Sequence, residues 1–128
     1  MTPNHEEALR ALRIADRDII AFHALRRDAD VALASVCFFA QQSVETCLKA
    51  VLFFHGIEFP PAHDLAKLAQ LLIDHDKTLP YSQDDLRKLN PFAVVFRYDD
   101  QEIETFSRDE AQMMVESTRR WAGNIIQT

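Results

Sequence analysis

VALASVCFFAQQSVETCLKAVLFF, residues 31–54, is the stretch that decides the fold. Gln42, Glu45 and Lys49 are three and four residues apart in it. At about 100° per residue they fall within an arc of roughly 60° on a helix, opposite Leu33, Val36, Ala40, Val44, Cys47 and Val51. Phe38, Phe39 and Phe53 flank the polar stripe, so the helix is apolar nearly all round and should be central. Polar side chains on such a helix must be paired, sit at a subunit interface, or line a cleft.

Working outward, 128 residues with 48% apolar side chains predict one domain, residues 1–128, with a single core. Two glycines stand against nine phenylalanines, and β-branched runs and turn dipeptides are scarce, which argues for long helices on short connections. The expected fold class is all-α. A formal charge of −6 argues against broad electrostatic binding of polyanions, so any nucleotide or RNA site must be local. Arginines do cluster, at Arg10, Arg13, Arg17, Arg26 and Arg27 and again at Arg119 and Arg120, with acids interleaved. Cys37 and Cys47 would stand about 15 Å apart along one helix, too far for a disulfide, and read as small buried apolar residues. With no signal peptide, no long apolar run and no disulfide pattern, the expectation is a soluble, cytoplasmic protein.

The first helix should start near Asn4 or His5, with Glu6 and Glu7 in its first turn and a stripe of Leu9, Leu12, Ile19 and Phe22. Asp30 is the expected N-cap of the second helix and Gly56 its left-handed terminator. Pro60 and Pro61 force an extended connector. Asp64 should cap a third helix faced by Leu65, Leu68, Ala69, Leu72 and Ile73. Ser82 with Asp85 opens a short helix through Leu86 and Leu89, cut at Asn90 and Pro91. Residues 92–98 are ambiguous, a short strand or another helical turn, since brief apolar runs do not separate the two by period; helix or irregular structure is the preferred reading. Ser107 with Glu110 is a capping box for a last helix with the stripe Ala111, Met114, Val115, Thr118, Ala122 and Ile125.

There is no glycine-rich phosphate loop and no histidine or cysteine pair at metal-ligand spacing, so no metal or other cofactor is expected. The polar stripe has two readings: an intrahelical Glu45–Lys49 pair worth about 0.2–0.5 kcal/mol, or groups kept for a ligand. His63, next to Asp64, is a loop histidine before a cap or a surface acid–base group. Arg97 and Tyr98 are part of a salt-bridged surface loop or a phosphate and base contact.

Taken together, Ala15-x-x-Asp18, Phe38-Phe39-Ala40-Gln41-Gln42-x-x-Glu45-x-x-x-Lys49-Ala50, Pro61-Ala62-His63-Asp64-Leu65 and Arg97-Tyr98 resemble the HEPN domain family. The resemblance runs from about Leu9 to the last helix. It implies an up-and-down bundle of four to five helices, usually a homodimer, often encoded in prokaryotes beside a minimal nucleotidyltransferase as a toxin–antitoxin-like pair. RNA cleavage is the best-known activity of the wider superfamily, and its ribonucleases share an arginine followed after four to six residues by a histidine in a late helix. Here no histidine follows His75, and the one match in spacing, Arg17 with His23, lies in the first helix.

The resemblance therefore implies nucleotide or RNA binding first, and the lack of a long apolar run predicts no membrane association. The expected site is a cleft lined by Glu45 and Lys49 and closed by the His63 and Arg97 loops, where Lys49 and Arg97 contact phosphate, Tyr98 stacks, Gln42 orients them, and His63 donates to phosphate or acts as acid or base. Two alternatives stay open: a metal-independent ribonuclease toxin with His63 as the candidate catalytic residue, or a structural dimerisation module whose polar stripe sets helix register.

Overall fold

The computed structural model of the chain describes residues 2–93 and 106–127. Among these, every regular element is helical, as the composition predicts: α1 (Pro3–Arg26), α2 (Leu33–Phe54), α3 (Leu65–Asp74), α4 (Gln83–Arg87) and α5 (Arg108–Ile126), with a short 3-10 helix at Asn90–Ala93. The bundle has five α-helices, within the expected range. No described helix is long and apolar enough to cross a membrane. Arg97, Tyr98 and most of the ambiguous 92–98 run lie outside the described residues.

α2 is the central element, with thirteen of its 22 residues buried, Glu45 and Gln41 among them. Its ends fix the arrangement of the long helices. His5, opening α1, meets the ring of Phe54 at the close of α2, edge to face at 5.6 Å. The same histidine donates from Nε2 to the carbonyl of Ile126 at the close of α5, 2.9 Å away. At the other end Arg108, opening α5, donates to carbonyls around the α1–α2 turn. Thus α2 and α5 run together and α1 opposes both. Phe22, Leu12, Leu48 and Leu52 are buried in the core, which Leu65, Leu68 and Leu72 of α3 join.

Most helix ends are where local chemistry puts them. Asp64, Ser82 and Ser107 accept from backbone N–H groups of the turns they open, satisfying donors that have no intrahelical partner. Three readings need correction. α1 begins at Pro3 under a Thr2 cap, because proline suits the first helical turn and the threonine oxygen takes the N–H of His5. Asp30 does not cap α2. Asp28 accepts from the Asp30 N–H in the preceding turn, and Ala32 stands at the N-cap without a side-chain bond. On the outer faces, Ile73 is 42% exposed, and Ile126, not Ile125, is the buried residue at the end of α5.

Gly56 ends α2 at φ +67°, where its N–H bonds the carbonyl of Phe53 and that of Ile57 bonds Leu52. A side chain there would be strained by the backbone and would stand 3.1 Å from Asn4 Nδ2. This turn sends the chain back along α2. Phe59 packs on Phe53, edge to face at 5.1 Å, and His63 then reaches Glu45, two turns earlier on the helix. The connector thus covers α2 with an extended strip, and prolines suit it because its backbone makes few bonds to α2.

Candidate functional site

The strip and the helix meet at a buried carboxylate. Glu45, 5% exposed, takes the ammonium of Lys49 at 2.9 Å on Oε2. On Oε1 it takes the amide of Gln41 at 3.1 Å and Nδ1 of His63 at 3.0 Å. Since a carboxylate only accepts, Nδ1 of His63 carries the proton, and Nε2 faces outward on a side chain 71% exposed. Gln41 also donates to the His63 carbonyl at 3.2 Å, so one amide holds both the acid and the backbone of the connector.

The structure brings together Gln42, Glu45, Lys49 and His63, but Gln42 joins at one remove. It donates to Gln41 Oε1 at 2.7 Å, and Gln41, fully buried, makes the direct bond to Glu45. The signal for Gln41 lies in the sequence: Gln41, Glu45 and Lys49 follow one another at i, i+4, the ridge along which helix side chains stack. Arg97 and Tyr98 lie outside the described residues; among those described, α2 and the connector bring this cluster together. His23 pairs with Arg26 at 3.2 Å and approaches Glu116 at 3.9 Å.

Each residue of His63-Asp64-Leu65 has a separate job. His63 bonds Glu45, Asp64 accepts from Ala66 N–H, and Leu65 is fully buried. Asn90 locks the segment from outside, donating to Asp64 at 2.9 Å and accepting from the Leu65 N–H at 3.0 Å. Asn90 reads in the sequence only as a helix breaker, because nothing local marks a contact across 25 residues.

Lys49 is partly buried, 21% exposed, with its ammonium 5.8 Å from the centre of the Phe59 ring. That ring helps hold a partly desolvated charge. Around it the field is mixed. Asp18 on α1 is held above the usual carboxylate range, first by desolvation and second by the negative charge of Glu45. A carboxyl whose pKa is raised by folding favours the folded state when protonated, and that contribution is lost as pH rises through the folded value. Asp18→Asn should therefore melt higher than the parent at pH 7, the gap closing as pH falls through the ordinary range near 4. A gap constant with pH would show that the Asp18 charge is not its source.

Elsewhere, burial pushes the Cys37 and Cys47 thiols up to about 12, against the opposing charges of Arg108 and Arg119 respectively. Both are core residues rather than nucleophiles. Among the described residues no group of three or more histidine, cysteine or acidic side chains is arranged to hold a metal. The arrangement sets a cationic ammonium and an imidazole on the two oxygens of one buried carboxylate.

A family model described as HEPN domain matches residues 8–122. No match was found among curated proteins or among solved structures.

Proposed function

The chain belongs to the HEPN domain family, and on that premise we propose that it binds a nucleotide or RNA, with Lys49 and His63 as the phosphate contacts. The observation that carries the reading is one buried carboxylate, Glu45, bonded to both side chains. Lys49 uses one of its three donors on Glu45, and His63 keeps Nε2 outward. Gln41, supported by Gln42, fixes the carboxylate. Arg97 and Tyr98 complete the proposal as a further phosphate contact and a stacking surface.

The homodimer and the minimal nucleotidyltransferase partner, in a toxin–antitoxin-like pair acting in the cytoplasm, are supported by the family resemblance alone. Lys49→Met should weaken binding of a short single-stranded RNA by about tenfold or more, the size expected for one charge-assisted contact. His63→Ala should weaken it less. Unchanged affinity in both variants, with native circular dichroism, would end this reading.

A ribonuclease reading gains one specific support. In a carboxylate–imidazole pair with Nδ1 bound inside and Nε2 outside, the ring is oriented as a general base needs. His63 is then the candidate catalytic residue. Incubation of total RNA with the protein and with His63→Ala separates the two: binding alone leaves the RNA intact, whereas cleavage lost on substitution supports catalysis.

A further inference from the structure

α1 and α5 lie side by side and antiparallel, tied along their seam by Asp16 with Arg119, at 2.7 and 3.2 Å, and by His23 with Glu116, at 3.9 Å. At about 100° per residue Arg13, Arg17 and Ile20 fall within an arc of roughly 60° on α1, turned away from the buried Ala8, Ala15 and Phe22. Met113 and Arg120 stand about 20° apart on α5, opposite the buried Ala111, Thr118 and Ala122. The two arcs therefore share one surface astride the seam. It faces away from α2, which carries Glu45 and Lys49, and is separate from the nucleotide site.

Ile20 is 70% exposed and Met113 64%, the two most exposed large apolar side chains among the described residues. Beside them Arg13, Arg17 and Arg120 are exposed and make no hydrogen bond or ion pair with any described residue. The acids on the seam, Asp16 and Glu116, are engaged by Arg119 and His23. Neither helix contains a lysine, although the chain has four. Arginine differs from lysine in carrying a planar fork that takes a carboxylate or phosphate at two points, and arginine and methionine are enriched where proteins meet.

We propose that this face docks an acidic amphipathic helix of a partner protein, with its apolar side on Ile20 and Met113 and its carboxylates on Arg13, Arg17 and Arg120. The inference goes beyond the nucleotide-binding reading and does not rest on it. A nucleic acid backbone would satisfy the arginines but leave the two apolar side chains uncovered. A second copy of the chain meeting this face with its own would set arginines against arginines. An acidic amphipathic helix satisfies both kinds of group. The shallow seam between two helices suits it, and Arg13 to Ile20 spans about 10 Å, close to two turns of a helix laid along it.

The test is calorimetric titration of the full chain with two synthetic amphipathic helical peptides that share a leucine stripe, one flanked by glutamates and the other by lysines. A chain of net charge −6 favours the lysine peptide everywhere except at this face, so the sign of the preference is diagnostic. The expected result is that the glutamate peptide binds at least about tenfold tighter. Arg13→Glu with Arg17→Glu should abolish that preference, and Ile20→Ser with Met113→Ser should weaken the glutamate peptide by about tenfold. All four positions are exposed, so these substitutions leave the core intact. Lys49→Met should leave peptide binding unchanged, which keeps this result apart from the nucleotide site. Equal affinities, a preference for the lysine peptide, or no binding of either overturns the proposal. So does binding of the glutamate peptide that is indifferent to Ile20→Ser with Met113→Ser, since bare charge then accounts for it. A short single-stranded RNA weakened by the arginine pair while the glutamate peptide is not assigns the face to nucleic acid. Self-association of the chain lost in the same variants assigns it to a second copy, and either outcome overturns the partner helix.

Discussion

Glu45→Ala should lower the melting temperature by about 10 °C. The substitution leaves one N–H of the fully buried Gln41 amide unpaired, the other still meeting the His63 carbonyl, and strands the Lys49 ammonium in a setting only 21% exposed. Removing one partner of a buried ion pair costs about 3–5 kcal/mol, and the partial solvation of Lys49 places this case at the lower end. For a chain of this length about 3 kcal/mol corresponds to roughly 10 °C. Glu45→Gln keeps an acceptor for Gln41 and should cost less. The double variant Glu45→Leu with Lys49→Met should recover much of the loss, since paired apolar groups replace a buried ion pair at little cost. A shift under about 2 °C for Glu45→Ala would mean that the carboxylate does not hold the connector to α2.

The second large effect is expected at Arg108. Its guanidinium donates to Arg26 O at 2.8 Å, to Asp28 O at 2.9 Å and to Val31 O, closing the α1–α2 turn onto the start of α5. Those carbonyls include ones that α1 leaves without intrahelical donors. Arg108→Ala should cost about 2 kcal/mol, and Arg108→Lys should recover only a small part, because a point charge does not span three carbonyls as a planar fork does. Amide hydrogen exchange provides the check: protection should fall first in the last turn of α1 and the first turn of α5. Uniform loss across the bundle, or none, would contradict a local clamp.

Much of this was legible in the residues because it depends on local rules. Ser82, Asp64 and Ser107 open helices through bonds to N–H groups two or three positions on, which spacing alone reveals. The polar stripe of α2 and the proline connector are equally local. Asp30 misled because Asp28, two residues earlier, claimed the turn. Asn90 and Arg108 carried no signal, since their partners lie 25 and about 80 residues away. Gln41 and Gln42 are neighbours of one type, and helical periodicity separates them by about 100° without saying which the connector will cover.

By itself the sequence determined the helices, the burial of α2, the polar groups on it and the family to which the chain belongs. Periodicity and capping are properties of a few neighbouring residues, so they survive without knowledge of the rest. Tertiary structure alone decided that the connector doubles back along α2 and that Glu45 gathers Gln41, Lys49 and His63. Those meetings depend on the left-handed turn at Gly56 and on the packing of α1 and α5, contacts between residues far apart in the chain that no local pattern encodes.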